Sequence, residues 1–335
     1  MNKCLICKKN EATKSNSHII PSFLTSMVAS YDGSYKRGKD LLFAISPYKE
    51  QIYIGALPDT KLQSVFHYEE LTEERISELS INPVALDYIF CPACECNLSK
   101  HLEAPYSECL SKNTQKDPIT QLFFWISVIW RMSITNKYGF KLPKSIEDKF
   151  HSILDKFLLQ KEEANDAKFD DLNFNYRVIH CKDYCKTNGG FIHCKYEEIE
   201  NVLTIMIGDV CICFTFDKAD LPKDYHFFKL EEYFVKAYNN STLKNEKRCL
   251  ISKEDYKKSV NEFIKIGAEI KKREYFNLFD ELWKRTGRTL YMPMRMKIKF
   301  LEMLLDENVK IGERHSKQRM VGIFNELVDN ILIWY

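Results

Sequence analysis

Two Cys-x-x-Cys pairs constrain this chain more than any other feature: Cys4 and Cys7 at its start, Cys91 and Cys94 far downstream. A two-residue spacer lets both thiolates of a pair reach one metal at about 2.3 Å without backbone strain, and two such pairs supply a complete tetrahedral set. The chain between the pairs must therefore leave one point and return to it. The competing reading makes one pair a redox dithiol and the other incidental; two pairs with the same spacer favour a structural zinc ion. Twelve cysteines accompany an N-terminus without the apolar stretch of a signal peptide. The expected setting is thus a reducing cytoplasm, where paired cysteines hold metal more often than they form disulfides.

The 335 residues are 45% hydrophobic and 29% charged, enough for two or three modest cores. A formal net charge of +2 excludes a globally basic nucleic-acid binder, so phosphate contacts must come from local patches. The longest apolar run, 202–216, contains Gly208 and Asp209 and falls short of the roughly 20 residues that a membrane span needs. It reads as two adjoining buried strands.

Along the chain, residues 1–112 form the cysteine-bearing module, with an insertion over about 31–85. That insertion mixes a Gly- and Lys-rich loop (32–40), a strand pair (41–45 and 51–54) and an acidic helix (72–79). A short strand over 86–90 delivers the second cysteine pair, and a helix follows over about 95–111. In the helical segment 113–170, Asp117 caps a helix whose first position is Pro118. Leu122, Phe123, Trp125, Ile126, Ile129, Trp130 and Met132 make that helix apolar almost all round, hence central and buried. Another helix starts at Ser145. Residues 171–250 alternate and are rich in β-branched and aromatic types, which predicts an antiparallel sheet with a Gly189-Gly190 turn. Residues 251–335 are helical again, broken at Gly287 and near Pro293. The fold class is α+β.

The second pair sits between a strand and a helix start, an arrangement that resembles a treble-clef finger. Cys4-x-x-Cys7, Ser17-His18-Ile19-Ile20-Pro21, Cys91-x-x-Cys94-Glu95 and Leu98-Ser99 together resemble the zinc-stapled HNH (ββα-metal) nucleases. More narrowly they are similar to bacterial HNH-like proteins with a Ser-His-Ile-Ile-Pro core and a Cys-x-x-Cys-Glu helix start, some of them in anti-phage defence loci. The likeness covers the first third of the chain, with a fainter echo in Ser127-Val128-Ile129-Trp130-Arg131.

The resemblance implies a metal-dependent endonuclease acting on DNA, with His18 as general base and zinc on the four cysteines. It also implies a catalytic Mg2+ or Mn2+. Glu95 stands where the family often has a histidine or asparagine ligand, and Glu103 lies two helical turns further along as a possible second acid. The chemistry is apt, since phosphodiester cleavage needs a base to activate water and a cation to stabilise the departing oxygen. Two departures stand out. Ser17 occupies the place before the base where many relatives carry Asp or His, and the middle asparagine has only Asn82 and Asn97 as candidates by neighbourhood. A binding module that has kept the fold without catalysis is the alternative.

Each candidate also has a plainer role. His18 can cap the metal module by hydrogen bonding, and Glu95 can be a favourable acid in a first helical turn. Lys8, Lys9 and Lys14 surround the first pair and can touch phosphates. Lys284, Arg285, Arg288, Arg295, Lys297 and Lys299 run without an intervening acid around Tyr291; they track a phosphate backbone or form a solvated helix face. Arg131 makes a buried ion pair or braces the active-site helix. His180, Cys181, Cys185, His193, Cys194, Cys211 and Cys213 are read as core packing ahead of a second metal site. Trp283, Tyr291 and the terminal Trp334-Tyr335 look exposed and suit either a homo-oligomer contact or a core. Expected partners are nucleic acid and, for a defence effector, a partner protein; no membrane contact is expected.

Overall fold

A computed structural model describes residues 2–25, 52–54, 85–112, 118–136, 140–160, 174–185, 191–216, 221–222, 224–240, 246–288, 291–304, 306 and 317–330. They fall into two units, one running to Glu262 and one from Phe263. The predicted features at 32–40, 41–45, 72–79, Asn82, Asp117, Gly189-Gly190 and Trp334-Tyr335 lie outside these residues. The architecture is α+β, as the change of hydrophobic period predicted.

The first unit opens with a two-stranded ribbon, in which β1 (Ser17–His18) pairs antiparallel with β3 (Ala85–Leu86). Between them in sequence come α1 (Ser22–Thr25) and β2 (Ile52–Ile54). Ile19, Ile20 and Leu24 are fully buried, so the Ile-Ile-Pro segment anchors the ribbon by packing. After Cys91, α2 (Pro92–Leu98) runs through a π-helical turn, Ser99–Glu103, into α3 (Ala104–Lys112).

Helix α4 (Pro118–Thr135) starts on the proline that was expected to start it. Every side chain from Leu122 to Met132 is buried, because this helix is enclosed on all sides. Helix α5 (Lys144–Asp155) packs beside it and ends in a second π-helical turn, Lys156–Gln160.

The sheet runs β2-β5-β6-β7-β4-β8, where β4 is Phe174–His180, β5 Phe191–Glu197, β6 Val202–Ile207 and β7 Val210–Phe216. These pairs are antiparallel; the short edge strand β8 (Arg248–Leu250) lies parallel to β4. The apolar run 202–216 is a hairpin of two buried strands turning at Gly208-Asp209, with Gly208 at φ +56°. Strand β2 was expected to pair locally, yet it extends the far edge by pairing with β5.

One face of the sheet, with Val178, Ile205, Ile212 and Phe214, joins Trp125, Phe124, Leu102 and the four cysteines in one continuous core. The opposite face carries Thr204, Cys211 and His193. It is covered by Tyr225 and Phe227, which precede α6 (Glu231–Lys236), and by Tyr256 of α7 (Lys253–Arg285). Ser252 caps α7 by accepting the Asp255 amide at 3.1 Å.

The second unit has its own core of Phe279, Trp283, Met292, Met296, Phe300, Phe324 and Leu327. Apart from Met292, which precedes α8, these come from α7, α8 (Met294–Leu304) and α9 (Lys317–Asp329). Trp283 is only 1% exposed, which corrects its reading as a surface aromatic: it closes this core from the last turn of α7. Among the described residues, no helix is long and apolar enough to cross a membrane.

Candidate metal centre and the His18 site

Cys4, Cys7, Cys91 and Cys94 converge, with their sulfurs all within 4.8 Å of one another and all four residues buried. The Cys7 and Cys91 sulfurs are 4.0 Å apart. A tetrahedron with Zn–S bonds of about 2.3 Å has an edge of about 3.8 Å, so the spacing suits zinc. Local structure explains the convergence. The Cys4–Cys7 turn closes through the Cys4 amide on Asn10 O (2.9 Å) and the Lys8 amide on Cys4 O (2.9 Å). The Leu5 amide donates to Ile89 O and the Lys14 amide to Phe90 O, which ties the first knuckle to the segment entering the second. Cys91 caps α2, and Pro92 starts it.

The electrostatics suit a cation. Burial pushes the Cys4 thiol up and the Cys94 thiol far up, and the neighbouring sulfurs push Cys94 further. Against its own burial, Cys7 is brought down to about 7 by the amides of Asn10 and Lys9. Asn10 Nδ2 also donates to Cys91 Sγ at 3.7 Å. Such a cluster of thiolates is stable only around a positive ion. Asn10 was not anticipated, and its sole sequence signal is its place three residues after Cys7. Among the described residues, this is the one group of three or more ligating side chains close enough to share an ion.

Among the described residues, the His180–Cys213 set forms no common ligating group: Cys181 and Cys185 lie near Cys211, but the pleat puts Cys194 on the other face. Cys194 belongs to the helix-side core, whereas Cys211 contacts Tyr256 Oη (3.5 Å) and Cys213 accepts from Thr204 Oγ1 (3.7 Å) on the other face.

Beside the cysteine centre, β1 presents Ser17, fully buried, and His18, half-buried. The His18 main chain is held from two directions. Its carbonyl accepts from Arg131 Nη1 at 2.8 Å, and its amide faces the half-buried Glu95 carboxylate one turn into α2. The same Arg131 nitrogen pairs with Glu103 Oε1 at 2.8 Å, while Arg131 Nε and Nη2 donate to Ser127 O and Oγ. Arg131, Glu103 and Ser127 are thus one network bracing the histidine strand. The sequence reading of Arg131 as a buried ion pair matches its contact with Glu103, while the segment it braces is the histidine strand.

The π-helical turn explains how Glu95 and Glu103 act on one place. Eight residues overshoot two α-helical turns, and an i→i+5 turn absorbs the excess, keeping both acids on one face. Burial raises the Glu95 pKa above the usual range; Arg131, the Ser17 hydroxyl and the His18 amide offset this in part, and Glu103 adds to it. Glu95 Oε2 and Ser17 Oγ are buried without a hydrogen-bond partner among the described residues. The Ser17 hydroxyl is near enough to favour the Glu95 carboxylate, but outside hydrogen-bond geometry. An unpartnered buried carboxylate oxygen suits a bound cation or water. Glu103 differs, since its oxygen is engaged by a guanidinium.

The other expected residues are placed as follows. Asn97 donates to Leu158 O at 3.1 Å and fastens α2 to the end of α5's helix. Lys8, Lys9 and Lys14 are exposed around the first knuckle. His151, which sequence reading did not single out, meets Ile6 O at 2.7 Å and Trp130, so it supports that knuckle from α5. Lys284 and Arg285 are exposed and Arg288 is half-buried, all in the second unit. Comparison with protein-family models, curated proteins and solved structures finds no match to this chain.

Proposed function

We propose that this protein is a metal-dependent endonuclease of the HNH (ββα-metal) kind, built on a treble-clef zinc module and acting on DNA. The observation that carries this reading is His18 on a short ribbon beside the four-cysteine centre, facing a helix whose first turn supplies the unpartnered Glu95 oxygen. The zinc is scaffold, because four thiolates leave it no open position.

His18 is the general base. An imidazole is the side chain chemically suited to take a proton from water near neutrality. Glu95 is the acid that would hold a catalytic Mg2+ or Mn2+, with Ser17 Oγ beside it, and such an ion would stabilise the departing oxygen. Arg131 and Glu103 hold the histidine strand against that acid. Lys8, Lys9 and Lys14 supply phosphate contacts at the first knuckle. A defence effector, nicking foreign DNA in the cytoplasm, is the biological setting that the motif resemblance suggests.

One observation favours a second reading, in which the module binds nucleic acid or protein without cleaving. Ser17 stands where an acidic or imidazole ligand is usual, and Glu103 is committed to Arg131. Purified protein with Mn2+ or Mg2+ is expected to nick supercoiled plasmid, and His18→Ala to lose at least about a hundredfold in rate, in line with a missing general base. Equal rates for parent and variant would overturn the nuclease reading in favour of the second.

A further inference from the structure

The six-cation run 284–299 is not one surface. Lys297 is buried and paired with Asp280 Oδ2 at 2.5 Å, and Lys299 is paired with Glu302 at 3.3 Å. Among the described residues, no carboxylate pairs with Lys284, Arg285, Arg288 or Arg295. These four lie on the last turn of α7, the connection after it and the first turn of α8.

The described residues on either side of 289–290 are held by specific bonds. Gly287, at φ +82°, ends α7 by donating to Lys284 O at 2.9 Å. Asp280 accepts the Met292 amide at 2.9 Å through one oxygen and Lys297 through the other, which seats Met292 in the core. The adjacent Tyr291 is thereby turned outward and is 69% exposed, with Lys284 Nζ 5.1 Å from its ring centre. Arg288 lies over the Trp283 ring, its Cζ 4.4 Å from the ring centre.

We propose that this hairpin tip is a binding site for single-stranded nucleic acid. Unneutralised cations around a fixed, outward aromatic ring are what a single strand needs: charge for successive phosphates and a π face for an unstacked base. Three of the four cations are arginines, whose planar forks match phosphate oxygens. A duplex hides its base faces and would gain nothing from Tyr291. An anionic membrane would be held by a broad apolar face, whereas Met294 and Ile298 are the only exposed apolar neighbours on α8 among the described residues.

The site belongs to the second unit and His18 to the first, and binding is read without cleavage. Full-length protein carrying His18→Ala is titrated with fluorescent oligothymidylate, a duplex of equal length, and phosphatidylserine vesicles. The single strand is expected to bind best. Arg285→Gln with Arg295→Gln should weaken it about tenfold or more and lower the salt slope by about 1.4, two phosphate contacts at 0.7 each. Tyr291→Ala should weaken the single strand at least fivefold and leave the duplex unchanged. Lys299→Gln, which removes an already paired charge, should change binding less than twofold. The proposal is overturned if the double variant matches Lys299→Gln, if duplex binds as well as single strand, or if vesicles are preferred. Plasmid nicking that leaves oligomer binding indifferent to these changes sinks this proposal alone; tight single-strand binding by a chain that never nicks sinks the nuclease alone.

Discussion

At the scale of single residues, the network around His18 turns on Arg131. One guanidinium satisfies a strand carbonyl, a carboxylate and a serine, all from a helix that is otherwise apolar. Its charge is stable there only because Glu103 balances it, and the converse holds for Glu103, which is 19% exposed. Arg131→Met should therefore cost about 3 kcal/mol in urea unfolding, most of it from the stranded carboxylate. Adding Glu103→Gln should recover a good part of that loss. A double variant no more stable than the single one would show that the His18 carbonyl carries the cost. Arg131 was legible in the sequence because a lone charge among Trp, Ile and Met must find a partner. Glu246 was not. It is a buried acid joined to Tyr106 Oη (2.9 Å), Trp125 Nε1 (3.2 Å) and Arg248 (3.3 Å), and it sits in a polar connection whose sequence looks solvated.

At the scale of elements, the sheet carries two imidazoles in places that disfavour charge. Burial, with Lys195 adding to it, takes His193 down to about 3; burial, with Arg248 adding, takes His180 down to about 4. Both folded values lie below the ordinary 6.5, so each histidine contributes stability that is fully present above pH 6.5. That contribution is lost as pH falls through the unfolded value toward 4 and then 3. The carboxyls of Glu246 and Asp209, raised mainly by burial, act in the opposite sense, and a difference between variants isolates the imidazole. Between pH 8 and pH 4.5, parent protein should lose roughly 2–3 kcal/mol more than His193→Phe in denaturant melts. Parallel pH profiles would refute the assignment.

The strands themselves were legible from alternation, and the 202–216 hairpin from Gly208-Asp209 inside an apolar run. The pairing of β2 with β5 was not, since nothing local in Ile52–Ile54 names a partner so distant in sequence. The π-helical turn was equally hidden, because an i→i+5 turn uses the same residues as an α-turn and is selected by what the helix packs against. For Trp283 the sequence left a core and an oligomer contact open, because its burial depends on α8 and α9 folding back.

At the scale of the whole molecule, the cysteine centre, the π-containing helix, α4 and the sheet form one core. Loss of the metal should therefore not stay local. Strong chelation, or Cys91→Ser, should abolish the one expected zinc per chain in elemental analysis. It should also lower the melting temperature by 10 °C or more, since structural zinc supplies folding free energy outright. Hydrogen exchange should rise across the ribbon, α2 and α4, while the separate core of Phe279, Phe300 and Phe324 keeps its protection. Uniform loss of protection would mean that the second unit depends on the first. The four ligands were fully legible, because metal spacing is written within four residues at a time. The neighbouring acid geometry was legible only as positions, its phase being set by tertiary packing.

The placement of those ligands has a consequence for how this chain tolerates change. Cys7 and Cys91 meet across 84 positions, so an ion held between them would act as a cross-link that is made and unmade by chemistry. Closing a loop of that size depends only weakly on its length, each doubling costing about 0.6 kcal/mol. Outside α1 and β2, a change in the length of that connection would therefore cost little, and the anchoring of its two ends would come and go with the metal.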